Sequence, residues 1–256
     1  MAHSEDANPV MQNFCYILQV TIVSEKSGDE VENFTAFAYP GCLPGNAFGF
    51  NVHGLVFTAN YVPQVWVSDN AIPRRVYNRA LLGVRSETEL WALFNQNPGI
   101  GSGFNFNITW LPPCTEEQEK PIRMFSVELA SSENGACIAE KTISSGFNFH
   151  FNVYQDLKVP NYPCRSSERR QKRVEELLHH RDVTTKEKNL SAVCDIMSDV
   201  TDKDFPLFRD GREPDYLATM AVAIIDLDEE TVDVYVDQPN STKPIVTFSL
   251  RAGQNL

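Results

Sequence analysis

The stretch NAFGFNVHGLVFTAN, residues Asn46–Asn60, carries the clearest fold signal in this chain. Two apolar runs, Ala47–Phe50 and Leu55–Thr58, flank the turn-forming residues Asn51–Gly54. Asparagine and glycine between short apolar runs are typical of a β-hairpin, because both residues tolerate the backbone angles of a tight turn. The stretch therefore predicts two paired antiparallel strands.

Further strands are expected on both sides of this hairpin. Alternating or continuous apolar residues predict them at Phe14–Val23, Val31–Tyr39, Phe104–Trp110, Ile122–Leu129, Ala136–Ile143, Tyr216–Leu227, Val232–Val236 and Ile245–Leu250. An acidic turn separates Tyr216–Leu227 from Val232–Val236, so these two strands are expected to pair.

Helical periodicity predicts four helices, at Pro73–Leu82, from Ser86 through Leu93, at Ser167–His180, and from the capping box Thr184–Glu187 through Met197. In the first of these, Val76, Ala80 and Leu81 are expected on one side of the helix. The order of strands, two helices, strands, two helices and strands indicates an α+β domain, in which helices cover two antiparallel sheets.

Length and charge set broad limits on function. The chain has 256 residues, which suits a single domain over 1–256. Its net charge of -12 disfavours nucleic acid as a partner and favours amines and other cations. The chain has no run of 18 apolar residues, and MAHSED is unlike a basic and then apolar leader. We therefore expect no membrane partner and a cytosolic location.

The cysteines show no metal-binding pattern. They are spread along the chain without the paired spacing of zinc ligands, at Cys15, Cys42, Cys114, Cys137, Cys164 and Cys194. We expect reduced thiols, no metal and no cofactor.

Five segments in a fixed order carry a family resemblance. They are Ala2–Ala7 (AHSEDA), Asn46–Asn60, Gly103–Thr109, His150–Tyr154 and Ser166–Arg170. As an ordered set they resemble the acyl-coenzyme A:isopenicillin-N acyltransferase family, and within it the arthropod beta-alanyl-dopamine hydrolases. The resemblance implies the four-layer αββα sandwich of the N-terminal-nucleophile hydrolases, here without its first strands.

The resemblance also implies an activity. It predicts a cysteine amidohydrolase or acyltransferase that acts on a small N-acyl amine, such as an N-β-alanyl amine. In this family a peptide is self-cleaved before a cysteine, whose thiol becomes the nucleophile and whose α-amine serves as the base. A self-cleaved N-terminal subunit is therefore an expected partner.

Three site residues follow from the resemblance. Asp6 corresponds to the acid that orients the α-amine and the thiol, although an aspartate so near a terminus is more often a solvated charge. Asn60 and Asn152 match the positions whose amides line the oxyanion hole. Without the resemblance, each asparagine would be assigned to capping a turn.

Three further residues are candidates beside them. His150, expected on the same strand face as Asn152, is a substrate-binding candidate or a hydrogen-bonded structural histidine. Arg170 matches an arginine that reaches the nucleophile in related hydrolases, although a shift of one residue would assign this role to Arg169. The other interpretation is that both arginines belong to a solvated basic helix face. Arg209 is a further substrate-binding candidate.

The nucleophile itself is the open question. No cysteine precedes Asp6, and Cys15 follows it in a predicted strand. One hypothesis is an active hydrolase whose cysteine is encoded upstream of Met1, and the other is an inactive fragment or pseudoenzyme that keeps the fold and the amine pocket. In both cases the missing strands are expected to leave Tyr216–Leu227 with an unpaired apolar edge that favours self-association.

Overall fold

A computed structural model describes residues 1–111, 122–179 and 185–251 of the chain. These residues form two compact units, one from Met1–Cys15 and Cys164–Ser249, and the other mainly from Tyr16–Pro163. A single domain over 1–256 stays a prediction. Three residues of the sequence predictions, Cys114, His180 and Thr184, lie outside the described residues.

The described ranges contain eleven strands and four α-helices. In chain order they are β1 (Ala2–Ala7), β2 (Tyr16–Val23), β3 (Glu30–Ala38), β4 (Phe48–Asn51), β5 (Leu55–Val62), α1 (Arg74–Leu81), α2 (Glu87–Phe94), β6 (Gly103–Trp110), β7 (Arg123–Ser132), β8 (Gly135–Ile143), α3 (Arg165–His179), α4 (Lys186–Met197), β9 (Ala218–Asp226), β10 (Thr231–Tyr235) and β11 (Val246–Ser249). The predicted strands and helices are present with shifted ends, except for a strand at His150.

The predicted hairpin consists of β4 and β5, and its turn is held by Asn51. The Asn51 side-chain amide donates to the carbonyls of Leu82 at 3.0 Å and Val84 at 2.7 Å, while its oxygen accepts N–H groups of the turn. Gly54 has φ 93°, and a Cβ there would overlap the Leu111 carbonyl oxygen. Glycine is therefore required at this turn.

Strands β2 to β8 form one antiparallel sheet in sequence order. One of its faces carries apolar side chains such as Phe57, Phe104 and Phe106, which pack with α1 and α2 in one core. Phe94 of α2 stacks on Phe106 with ring centroids 5.7 Å apart. Burial of these aromatic side chains, together with aliphatic ones such as Leu90 and Ile108, stabilises this unit.

Of the three residues expected on one side of α1, only Leu81 is buried. Val76 is 50% exposed, and Ala80, one turn further on, is exposed as well. The helix instead buries Tyr77 and Leu81, which share the neighbouring face four residues apart. Tyr77 anchors this orientation, because its hydroxyl donates to the Leu93 carbonyl at 2.9 Å.

The opposite face of the seven-stranded sheet is polar around β5, β6 and β7. The strand register places Asn60 opposite Asn105, and Asn105 opposite Glu128. Directly opposed residues of an antiparallel pair point to the same face. Asn105 and Glu128 are 0% and 1% exposed, whereas Asn60 at the end of this row is half-buried.

The second sheet has the strand order β1-β9-β10-β11. Strand β9 pairs on one side with β10 and on the other with β1, from Ala2 opposite Ile224 to Ala7 opposite Ala218. The predicted unpaired edge of Tyr216–Leu227 is therefore wrong, because β1 covers it. Ala2–Ala7 gave no strand signal of its own, since its side chains are mostly polar and its strand conformation depends on pairing with β9.

Helices α3 and α4 belong to the same unit as this sheet. In α3, Val174 is buried while Leu177 and Leu178 are half-buried. Helix α4 begins after Thr185, whose hydroxyl accepts the Lys188 N–H at 3.3 Å, as an N-cap does.

Candidate active site

Asp6 is buried at a register shift in β1, between Glu5 and Asp6. Its side chain is 9% exposed, and Thr219 donates its hydroxyl to Oδ1 at 2.8 Å. Arg209 Nη1 lies 3.3 Å from Oδ2, and Arg170 Nη1 lies 3.8 Å from the same oxygen. Asp6 is therefore an anchored internal carboxylate and not a solvated terminal charge.

Arg209 joins Asp6 to a second carboxylate. Its Nε donates to Asp215 Oδ2 at 2.7 Å, and its Nη2 contacts Asp215 Oδ1. The backbone N–H of Arg209 donates to Thr219 Oγ1 at 2.9 Å. Burial by itself lowers the pKa of Arg209, but the hydrogen bonds to Asp215 and the charge of Asp6 outweigh it and raise the pKa.

Arg170 is the buried member of the Arg169–Arg170 pair. The side chain of Arg170 is 5% exposed, and its Nε donates to Ser166 Oγ at 3.2 Å. Burial lowers the pKa of Arg170, which the charge of Asp6 partly offsets. Arg169 points elsewhere and binds Asp202 and Asp204, with N···O distances of 2.7 and 2.6 Å. The Arg170 register is therefore the one that reaches Asp6.

The charges around Asp6 balance. Two arginines, Arg170 and Arg209, face two carboxylates, Asp6 and Asp215, and all four side chains are at most 9% exposed. Buried charges are tolerated when each has a partner and further hydrogen bonds, as here. Loss of any one member would leave an uncompensated charge in the protein interior.

The two predicted oxyanion-hole residues lie in the other unit. Asn60 is half-buried on β5. The side-chain amide of Asn152 donates to the backbone carbonyl of Tyr61, the residue that follows Asn60, at 2.8 Å. Asn152 is thus held beside the strand that carries Asn60. Their part in catalysis stays a prediction.

His150 has the environment of a hydrogen-bonded structural histidine. Its Nε2 lies 2.8 Å from Glu128 Oε1, and the two side chains are 2% and 1% exposed. The predicted strand at His150 is wrong, because residues 147–160 have neither helix nor strand structure. The segment is held by side-chain contacts to β7 and not by a strand ladder. A substrate-binding role for His150 stays a prediction.

Glu128 binds this segment at four points. Its Oε1 also accepts the N–H of Gln155, and its Oε2 accepts those of Asp156 and Leu157. Burial alone raises the pKa of Glu128, but the hydrogen bonds from His150, Gln155 and Leu157 outweigh it and lower the pKa. Glu128 is therefore an ionised internal carboxylate.

The sequence predictions missed Glu128, Thr219 and Asp215. The signal for Glu128 was a single acid within the apolar run FSVELA, since a lone charge in a buried strand needs partners. Thr219 and Asp215 carry no comparable signal, because their role depends on contacts with Asp6 and Arg209.

Cys15 does not lie in a strand, contrary to the sequence prediction. It precedes β2 and is half-buried, with its thiol 4.0 Å from the Gln12 carbonyl, and burial raises the pKa of this thiol. Strand β2 begins only at Tyr16, because residues 9–14 form a 3-10 helix and turns. A thiol with a raised pKa is a poor nucleophile at neutral pH.

The described ranges lack two other features. No group of three or more His, Cys, Asp or Glu side chains there has the arrangement of a metal site. None of the helices in these ranges combines the length and the apolar character needed to cross a membrane. The expected absence of cofactors and the cytosolic location stay predictions.

Comparison with known proteins identifies the family. The family model of acyl-coenzyme A:6-aminopenicillanic acid acyl-transferase matches residues 1–241. The chain belongs to this family. A curated relative, the beta-alanyl-dopamine/carcinine hydrolase of Drosophila melanogaster, is 25% identical over 264 aligned positions, which cover 95% of the chain. The chain spans 63% of the length of this relative.

Similarity to solved structures identifies the fold of this chain. Penicillin V acylase from Agrobacterium tumefaciens matches with a TM-score of 0.54 at 10% identity, covering 96% of this chain and 80% of that one. A variant of conjugated bile acid hydrolase from Clostridium perfringens matches with a TM-score of 0.52 at 9% identity, covering 99% and 90%. The fold is that of the N-terminal-nucleophile hydrolases, and the α+β class predicted from the sequence is confirmed.

Proposed function

We propose that this family member is a cysteine N-terminal-nucleophile amidohydrolase or acyltransferase that releases a free amine from an N-acyl amine. The observation that carries the proposal is the environment of Asp6. This residue ends the family's active-site motif, and it is buried against Thr219, Arg209 and Arg170. A carboxylate with a fixed orientation is what the class needs to hold an α-amine beside a thiol.

The reaction proceeds in two steps. The thiolate attacks the amide carbonyl, the amine departs with a proton, and a thioester to the enzyme forms. Water then cleaves the thioester, which releases the acid and restores the thiol. In the transferase alternative, an acceptor amine replaces water.

The Asn60 and Asn152 amides are assigned to the oxyanion that forms in each step. The contact of Asn152 with the Tyr61 carbonyl supports this assignment, because it fixes the orientation of the amide before substrate binds. Preorganised donors of this kind stabilise developing charge most effectively.

The substrate class follows from the relative and from charge. The Drosophila melanogaster relative is named for beta-alanyl-dopamine and carcinine, so N-β-alanyl amines such as N-β-alanyl dopamine are the proposed substrates. Their free amino group is cationic at neutral pH, and the net charge of -12 attracts cations.

The proposal places the nucleophilic cysteine N-terminal to Met1, as the first residue of the subunit that includes this chain. The peptide that self-cleavage removes before this cysteine would be the separate subunit. The relative's greater length is compatible with this placement. A second candidate function is an inactive pseudoenzyme that keeps the fold and an amine pocket.

One experiment separates the two functions. The complete transcript-encoded protein, with any residues that precede Met1, is purified and incubated with N-β-alanyl dopamine, and dopamine is measured by liquid chromatography. We expect dopamine release together with cleavage into two subunits on a denaturing gel, and no release from the chain that begins at Met1. A folded complete protein that releases no amine from N-acyl amines would favour the pseudoenzyme.

A further inference from the structure

The Glu128 carboxylate gathers four hydrogen bonds from a single segment of the chain. Oε1 accepts from His150 Nε2 at 2.8 Å and from the Gln155 N–H at 2.6 Å. Oε2 accepts from the N–H groups of Asp156 at 3.0 Å and Leu157 at 2.7 Å. Three consecutive backbone amides thus converge on one buried side chain of β7.

Only a carboxylate can make all four contacts. Both of its oxygens accept, whereas glutamine would place an NH₂ group against N–H donors at one end. Because Glu128 is ionised, the His150 nitrogen that faces it carries a hydrogen and donates. Removal of the charge would leave donors of the segment buried without an acceptor.

In the sequence, Asn152 lies between His150 and Gln155, the two residues that donate to Glu128 Oε1. It follows His150 by two residues and precedes Gln155 by three. Near it, the Tyr154 hydroxyl donates to the Leu129 carbonyl at 2.9 Å. A Cβ on Gly103 would overlap this hydroxyl, so the segment lies directly against β6.

No strand ladder holds the backbone of Asn152, because the segment around it has neither helix nor strand structure. The contacts of its neighbours with β7 therefore help to fix its position, and four of these contacts end on Glu128. The side-chain amide of Asn152 in turn donates a hydrogen bond to the Tyr61 carbonyl at 2.8 Å. Small shifts of such an amide are costly for catalysis, since a misplacement of about 1 Å can lower the rate about 100-fold.

We propose that Glu128 is a positioning residue that fixes the Asn152 amide for catalysis by clamping residues 150–157 to β7. This inference rests on the proposed function, in which Asn152 is an oxyanion donor. Glu128 itself touches neither the substrate nor the reacting atoms.

The test compares Glu128→Gln with Glu140→Gln in the complete protein. Glu140 is exposed on the neighbouring strand β8 and serves as the matched control. We expect Glu128→Gln to lower kcat about 10- to 100-fold with little change in KM. It should also speed hydrogen exchange of the amides at 155–157 about 10-fold or more. Glu140→Gln should change neither.

A double-mutant cycle with Asn152→Ala separates positioning from general destabilisation. If Glu128 acts through Asn152, Glu128→Gln should cost little further activity once Asn152 is removed. Additive losses would overturn the proposal, as would unchanged exchange at 155–157. His150→Phe removes one donor and covers the case in which Glu128→Gln does not fold. This milder variant should lower kcat, and a raised KM with unchanged kcat would instead assign His150 to substrate binding and contradict the clamp.

A complete protein without any amidase activity would refute the proposed function, and the clamp's catalytic role with it. Active protein with normal kinetics in Glu128→Gln would refute the clamp alone.

Discussion

Thr219 donates its hydroxyl to Asp6 across the β1–β9 ladder, with 2.8 Å between Oγ1 and Oδ1. The same Oγ1 accepts the backbone N–H of Arg209 at 2.9 Å. The Thr219 hydroxyl therefore orients the Asp6 carboxylate and also holds the backbone of Arg209, which binds the same carboxylate. The candidate acid depends on a side chain more than two hundred positions away in sequence.

Thr219→Val tests this link. Valine keeps the shape but leaves the Arg209 N–H without its acceptor, so the free energy of unfolding should fall by about 1–3 kcal/mol. Urea denaturation measures it. Thr219→Ser retains the hydroxyl and is the control, which should lie within about 1 kcal/mol of the wild type. Equal stability of the valine and serine variants would contradict the link.

Arg209→Gln should be among the more destabilising substitutions in its unit. It leaves Asp6 and Asp215 buried with one cation fewer, a change that costs about 3–5 kcal/mol in buried ion pairs. Arg212, whose side chain is 83% exposed, provides the control Arg212→Gln, expected to change stability by no more than about 0.5 kcal/mol. Similar midpoints for both variants in thermal unfolding would show that the ion pairs of Arg209 with Asp6 and Asp215 contribute little to stability.

The Glu128 clamp predicts a pH dependence of stability. The pKa of Glu128 is lower in the folded protein than in the unfolded chain. Its stabilisation is therefore complete above the unfolded-state pKa and is lost as the pH falls through the folded-state value. The difference in unfolding free energy between wild type and Glu128→Gln should be constant from neutral pH to about pH 5 and shrink on further acidification. A difference that grows with acid would contradict the clamp.

Asn152→Ala should lower kcat about 10²–10³-fold if its amide stabilises the oxyanion. Folding should be unaffected, because the segment stays bound to Glu128. Steady-state kinetics of the complete protein provides the measurement, with Asn148→Ala as a nearby control on the same segment. A change confined to KM would reassign Asn152 to substrate positioning.

The sequence predicted the local structure well where signals are short-range. Asn51–Gly54 forms the expected turn, and the Ser86 hydroxyl caps α2 by accepting the Glu89 N–H at 3.2 Å. Both depend on neighbours within a few residues, which periodicity and capping patterns describe.

Long-range contacts were not predictable in the same way. Arg169 and Arg170 differ by about 100° around a helix, and only their partners, Asp202 and Asp6, show which one is buried. Likewise, β1 is a strand because β9 pairs with it. The candidate site residues were found through the family resemblance, whereas the groups that fix them required the structure.

The central claim is that Asp6 is the acid of an amide-hydrolysing site. Its most direct test is kcat/KM for N-β-alanyl dopamine in the complete protein, with Asp6→Asn compared with Asp210→Asn, whose side chain is 45% exposed. Asparagine can still accept from Thr219, but it removes one of the two negative charges that face Arg170 and Arg209, so the variant should be less stable. Thermal unfolding verifies that it is folded at the assay temperature. We predict a loss in kcat/KM of about 100-fold or more for Asp6→Asn and none for Asp210→Asn. A folded Asp6→Asn protein with wild-type kcat/KM would contradict the account.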